Sequence, residues 1–368
     1  MNIFDYLSWR GDVPFSADPF NEVDGLVLSE LAYTNFAGIV PARGEIGLRE
    51  AVELFFARTP REVVLETPGS TAPAPLLMEE MSRGPRFRDS RLMHFINVVD
   101  KDKSEQMAAV SLLLPDGSVF VSFRGTDNSL VGWREDMALS YGEATPGQKR
   151  AAAYLQNITK RFPGPLRVGG HSKGGNFSVY AASCCPPEVQ DRIGVVYSFD
   201  GPGFRDEVLC SEGYRRILPR VRHLVPEGSI FGMLLTEMAE RQVVISSATG
   251  FYQHDGFTWQ VERNRFVRGE LNETARLMDQ TMDSWLDHMT DEERSSFFDT
   301  VFILLESTGH ESLSGVFGQK LKSTESMLGS MVKLPKEKRK ELLSFLRELV
   351  HIGGKNAMHL HMGRRDED

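Results

Sequence analysis

The sequence predicts an α/β fold with a mainly parallel sheet and a helical appendage after Gly269. Three observations carry this expectation. Strand candidates alternate with helical segments between Met107 and Val261, the order that builds βαβ units. One of them, Ile193–Phe199 (IGVVYSF), is apolar almost throughout, as suits a central strand buried on both faces. Beyond Gly269 the apolar spacing is helical only. The 368 residues suffice for one large domain or two, and 41% hydrophobic with 25% charged residues is ordinary for a globular protein.

From the N-terminus, Ile3–Trp9 is a short amphipathic stretch, and Pro14–Pro19 a loop. Leu28, Leu31 and Ala32 stand at helical spacing after the acids Glu22 and Asp24, which favour a helix start. Gly47–Arg58 and Leu76–Met81 read as helices, Thr67–Pro75 as a loop, and Ser90–Phe95 as a further helical turn. The sheet is expected to begin near Val98. Met107–Leu114 and the alternating Ser118–Arg124 flank Pro115-Asp116-Gly117, a turn signal, and together read as a β-hairpin. Gln148–Arg161 is a helix ended by Pro163-Gly164-Pro165. Val221–Val225, Gln242–Ser246 and Phe257–Val261 read as later strands, with Thr249–Asp255 a loop before the last. In the appendage, Thr290 and Glu293 form a capping box, and Leu342–Val350 an apolar face begun at Pro335. The expected division is a helical and loop segment over 1–95, the core over 96–268, and the appendage with a polar solvated tail over 269–368.

The stretch that carries chemistry is Leu166–Ala182, LRVGGHSKGGNFSVYAA. An apolar run, a sharp turn at Gly170-His171-Ser172-Lys173-Gly174 and a small-residue helix are the context in which G-x-S-x-G marks a nucleophile elbow. The bare motif would arise by chance in roughly one such glycine-rich chain in four, so the flanking strand and helix are what give it weight. Loops after parallel strands gather at one sheet edge. Arg124-Gly125-Thr126, Ser172, Asp200, Glu227 and His254 all follow strands.

Serine needs an adjacent base. Of nine histidines, only His254 lies in a loop after the last long strand and after both acid candidates. His171 sits in the elbow turn, expected to face away. His94 precedes the serine, His223 lies inside a strand, and His288, His310, His351, His359 and His361 belong to the appendage or tail. The acid is Asp200, ahead of the rigid Gly201-Pro202-Gly203, or Glu227 at the end of the next strand. Asp200 is preferred, although a turn aspartate bonding its own backbone is common. Asp206 and Asp255 are more distant candidates. The oxyanion donors are expected from the Lys173 backbone N–H and from Thr126. Arg124 reads as a structural residue, pinning its loop through a carboxylate such as Asp136.

The net charge of −9 argues against nucleic acid as the main partner. Cys184, Cys185 and Cys210 make neither a disulfide framework nor a zinc pattern. No metal or cofactor is implied. The first residues show no apolar h-region, and no apolar run approaches 18 residues, so a cytoplasmic location is the default expectation.

Phe123-Arg124-Gly125-Thr126 followed by Trp133-Arg134-Glu135-Asp136, with Gly170-His171-Ser172-Lys173-Gly174-Gly175, resembles the class 3 lipase group of α/β hydrolases. These segments look like that group's oxyanion loop, F-R-G-[ST] then N-W-x-x-D, and its G-H-S-x-G-G elbow. Across most of the chain, DYLSWRGD (Asp5–Asp12), DPFNEVDGLVLSEL (Asp18–Leu31), GGHSKGGN, SFDGPGF, VPEGSIFGMLL and QHDGFTW are similar to the bacterial Mbeg-like proteins, a lipase-related family. The resemblance implies an α/β-hydrolase fold and a Ser172–His254–Asp200 site. The chain departs from the lipases at Gly132, where they have asparagine, and at Lys173, where they usually have leucine; Lys173 would put a cation beside the site or snorkel away. It also lacks an aspartate at Glu227, where the lipases' acid segment has one.

The leading expectation is a serine hydrolase acting on a small-molecule or lipid carboxylic ester, with transient membrane contact left open. The rival is a non-catalytic or regulatory protein of the same fold that binds a partner through its appendage. Oligomeric state is not legible.

Overall fold

The computed structural model describes residues 1–41, 43–67, 69–312, 315–316 and 320–363. Of the expected polar tail, residues 364–368 lie outside them. An eight-stranded sheet frames the molecule. Its strands are β1 (Glu45–Gly47), β2 (Arg91–Asp100), β3 (Glu105–Leu113), β4 (Val119–Phe123), β5 (Leu166–His171), β6 (Ile193–Phe199), β7 (Val221–Pro226) and β8 (Arg241–Val244), and spatial order follows chain order. Pairings from β1 to β4 are antiparallel and those from β4 to β8 parallel. The hairpin β3–β4 turns at Pro115-Asp116-Gly117, where Gly117 takes φ 80° and Asp116 accepts from the Ser118 N–H at 3.0 Å.

Helices cover both faces. On one side pack α1 (Ile3–Arg10), α2 (Glu22–Leu31), α3 (Leu48–Arg58), α4 (Arg61–Glu66) and α5 (Ala74–Met81). After β4 comes α6 (Leu130–Ala138). The crossover helices α7 (Pro146–Arg161) and α8 (Lys173–Ser183) lie on the opposite side from α2. Two right-handed crossovers moving in one direction must share a face. Strand alternation divides the core accordingly. Val110, Leu112, Phe120, Tyr197 and Phe199 point to the N-terminal helices, whereas Ala109, Val121, Phe123, Val168 and Val196 meet α7 and α8. Each buried valine, leucine or phenylalanine among them contributes about 1.5–3 kcal/mol.

Short helices α9 (Pro187–Gln190), α10 (Asp206–Leu209) and α11 (Glu212–Ile217) join the later strands. The C-terminal region is helical: α12 (Glu273–Asp287), α13 (Asp291–Glu306), α14 (Lys320–Lys333) and α15 (Lys336–Gly363). The Thr290 capping box forms as expected: the Glu293 N–H donates to Thr290 Oγ1 at 3.3 Å and the Thr290 N–H to Glu293 Oε2 at 2.9 Å. Trp285, Phe297, Phe298, Leu342 and Phe345 give this region its own apolar cluster. Among the described residues, no helix is long and apolar enough to cross a membrane.

Four local expectations are corrected. The sheet begins not near Val98 but at β1, with β2 running from Arg91. Ser90–Phe95 is not helical; it enters β2, which is paired on both edges. A register irregularity between Met93 and Ile96, with His94 at φ 55°, breaks the alternation that would have marked the strand. Phe257–Val261 does not extend the main sheet. Gly256–Thr258 is a 3-10 turn, and among the described residues β9 (Val261–Glu262) pairs only with β10 (Arg265–Phe266). The Phe257 N–H donates to Asp255 Oδ1 at 3.0 Å, and fully buried Trp259 donates to the Gln253 carbonyl at 2.9 Å. These bonds leave the segment an isolated antiparallel bridge, Ser246 to Trp259, in place of a continuous ladder. The same captures turn the expected loop before it into a 3-10 helix, Gly250–His254.

Candidate active site

β5 ends at His171 and α8 begins at Lys173, leaving Ser172 alone to reverse the chain. Its φ of 59° and ψ of −133° lie where a side chain with a Cβ is strained. The neighbouring strand explains the flanking glycines: a Cβ on Gly174 would collide with the Phe123 carbonyl, and one on Gly170 with the Gly174 backbone. Asp200, also at positive φ (50°), directly follows β6. Two strained non-glycine residues at one sheet edge fit the pattern of strain gathered at functional sites.

Asp200 is fully buried and both oxygens of its carboxylate are hydrogen-bonded. Oδ2 accepts from His254 Nδ1 at 2.6 Å, and Oδ1 accepts from the Gly232 N–H at 3.1 Å and from the Ser229 hydroxyl. The His254–Asp200 bond fixes the tautomer of neutral His254 and leaves Nε2 as the unprotonated nitrogen. Glu227 goes elsewhere: its side chain lies against Gly269, and its carbonyl accepts from the Asn272 N–H. The imidazole of His254 is clamped between Phe231, at 4.2 Å between centroids, and His171, at 4.5 Å. Among the described residues no hydrogen bond joins Ser172 Oγ to His254; such contacts are often loose without substrate.

His171 does not face away from the site, as its turn position suggested. Its Nε2 donates to the His254 carbonyl at 2.7 Å, and its Nδ1 meets the Tyr33 hydroxyl at 3.0 Å. Burial drives its pKa down to about 3, so the ring stays neutral and both nitrogens are occupied. It buttresses His254 and cannot replace it.

The loop after β4 closes the other side. A Cβ on Gly125 would press on the Tyr33 oxygen, the His171 carbonyl and Ser172 Cβ, so this loop touches the elbow. Thr126 donates its hydroxyl to Asp136 Oδ2. Arg124 does not bind Asp136; it donates to Asn97 Oδ1 and Asp127 Oδ2, both at 3.2 Å. Thr126 already holds the Asp136 carboxylate, whose pKa burial raises to about 6. Lys173, at the first position of α8, has a backbone N–H with no intrahelical acceptor. Its side chain is not a free cation in the site. It is buried, with Nζ donating to Glu135 Oε2 at 3.2 Å and the Gly132 carbonyl at 3.3 Å. Glu135 also accepts from the Gln106 and Gly147 N–H groups at 2.8 and 2.6 Å, so the pair is well solvated by protein.

Ser172 opens into a cavity of about 90 Å³. Met137, Leu139, Phe231 and Leu234 line it from the core, and Met282, Leu286 and Phe298 from α12 and α13. Sequence reasoning missed Ser229, Tyr33, Phe231 and these appendage residues. Each reaches the site through tertiary packing, and no local pattern announces it.

Solved lipases align with this chain at low similarity. The crystal structure of M37 lipase aligns at 13% identity and a TM-score of 0.36, over 89% of this chain and 98% of that one. The lipase from Rhizopus microsporus var. chinensis aligns at 14% and 0.33, over 57% and 80%. The Rhizomucor miehei lipase propeptide complex aligns at 14% and 0.33, over 42% of this chain, and the chain spans only 57% of its length. No curated protein matches the sequence. The profile of the Mbeg1-like family matches residues 81–303, covering the sheet from the entry to β2 onward, the elbow, Asp200, His254 and α12, and the chain therefore belongs to the Mbeg1-like family.

Proposed function

We propose that the protein is a serine carboxylic ester hydrolase. The observation that carries this reading is the 2.6 Å bond from His254 Nδ1 to buried Asp200, set at the sheet edge where Ser172 occupies a strained elbow. In the proposed reaction Ser172 Oγ attacks the ester carbonyl carbon as its proton passes to His254 Nε2. The carbonyl electron pair moves onto oxygen, which the backbone N–H groups of Lys173 and Thr126 stabilise. Collapse breaks the bond to the alcohol, which leaves with the proton from His254. Water, activated by the same imidazole, then releases the acid and restores Ser172. Asp200 holds the imidazole in the needed tautomer and stabilises its cation.

A fluorophosphonate probe tests this. Wild type should label at a single serine, Ser172→Ala should not label, and His254→Ala should label at least about 10³-fold more slowly. A folded wild type that never labels would overturn the reading and favour the partner-binding alternative.

A further inference from the structure

Helices α12 and α13 form one wall of the cavity that holds Ser172. Leu286 and Phe298 are only 5% and 8% exposed, yet both, with Met282, line that cavity. Met137 and Leu139 face it from the segment after β4. Its polar residues, Asp136, Ser140, Ser172 and Lys173, all come from the core, whereas the appendage contributes only apolar ones. A space with a reactive hydroxyl and hydrocarbon walls suits an amphipathic occupant, with its carbonyl at the serine and its chain among the side chains.

The wall is held in place. Arg294 donates to the Ser140 carbonyl of the core and to the Leu286 carbonyl of α12, both at 2.7 Å, tying the two sides together. Tyr141 stacks on Phe298 with centroids 6.2 Å apart. Leu235, another wall residue, keeps a φ of 63° and packs on the appendage cluster. Such a backbone persists in a leucine only where packing over-determines it.

Resting on the reading of Ser172 as nucleophile, we propose that the pocket between core and appendage binds the acyl chain of the ester, and that Leu286 and Phe298 set the chain length accepted. The test uses the full chain and two substitutions of opposite steric sense, Phe298→Ala and Leu286→Trp. With p-nitrophenyl esters from acetate to palmitate, Phe298→Ala should shift the optimum of kcat/KM toward longer chains. Leu286→Trp should lower kcat/KM for butyrate at least about tenfold relative to acetate, since single-methylene differences in such pockets discriminate by 10- to 200-fold. Butyrate binding to Ser172→Ala, followed by calorimetry, should weaken to match when Leu286→Trp is added. If the profile and the binding are unchanged in whichever variants fold, the acyl-wall assignment falls while the hydrolase reading stands. If butyrate binds as expected but no fluorophosphonate label appears, the hydrolase reading falls and the pocket assignment survives.

Discussion

Asp136 shows how much one buried carboxylate can carry. Burial raises its pKa from the ordinary 3.8 to about 6, against the opposing pull of Lys173 and the Thr126 hydroxyl. Between pH 4 and 6 the unfolded chain therefore gives up a proton that the folded chain keeps. Ionisation of Asp136 costs folding stability as pH rises through that window, and the cost is complete above it. Asp136→Asn keeps an oxygen for Thr126 and removes the charge. It should match wild type near pH 4 and be more stable by about 1–3 kcal/mol at pH 7.5. Urea unfolding across that range checks this, and a difference that does not grow with pH would count against it. At the same scale, His171 illustrates a limit of reading residues singly. The histidine nearest the serine in sequence is excluded as the base because both its ring nitrogens are engaged.

At the scale of elements, the decisive contact is between β4 and the start of α8. The Gly174 position lies against the Phe123 carbonyl, so the helix approaches the strand backbone without a side chain between them. Gly174→Ala must push α8 away from β4, at a cost of about 1–3 kcal/mol for an overpacked site. The displacement acts directly on the Lys173 N–H and on Ser172. The fluorophosphonate labelling rate should therefore fall at temperatures where the variant is still fully folded by circular dichroism. Unchanged labelling in a folded variant would show that the close approach serves packing alone.

At the scale of the molecule, the C-terminal helices and the core share a wall, and Arg294 is a principal link. It donates to Leu286 and Ser140 carbonyls while only 14% of its side chain is exposed. Arg294→Ala leaves those carbonyls without their charged donor, a loss of about 1.5–3 kcal/mol. Hydrogen exchange should quicken in α12 and α13 while β5 to β7 keep their protection. Equal loss of protection in both regions would mean that core and appendage unfold as one unit.

Much was determined by sequence alone, because the forces involved are local or periodic. Gly170 to Gly174 encode the elbow through steric necessity, Ile193–Phe199 encodes a doubly buried strand through its apolar run, and Thr290 with Glu293 encodes a helix start through reciprocal capping. The order of Ser172, Asp200 and His254 along the chain was legible because parallel strands deliver their following loops to one edge. The rest was decided by tertiary structure. Whether Asp200 or Glu227 meets His254 depends on where the loop after β8 folds back, which the bonds of Asp255 and Trp259 govern. The direction taken by Lys173 depends on Glu135, 38 residues away in sequence and fully buried. The wall built by Leu286 and Phe298 depends on helices docking across the site. Apolar spacing on a helix specifies that a face will be buried but not against what, because the hydrophobic effect is non-directional.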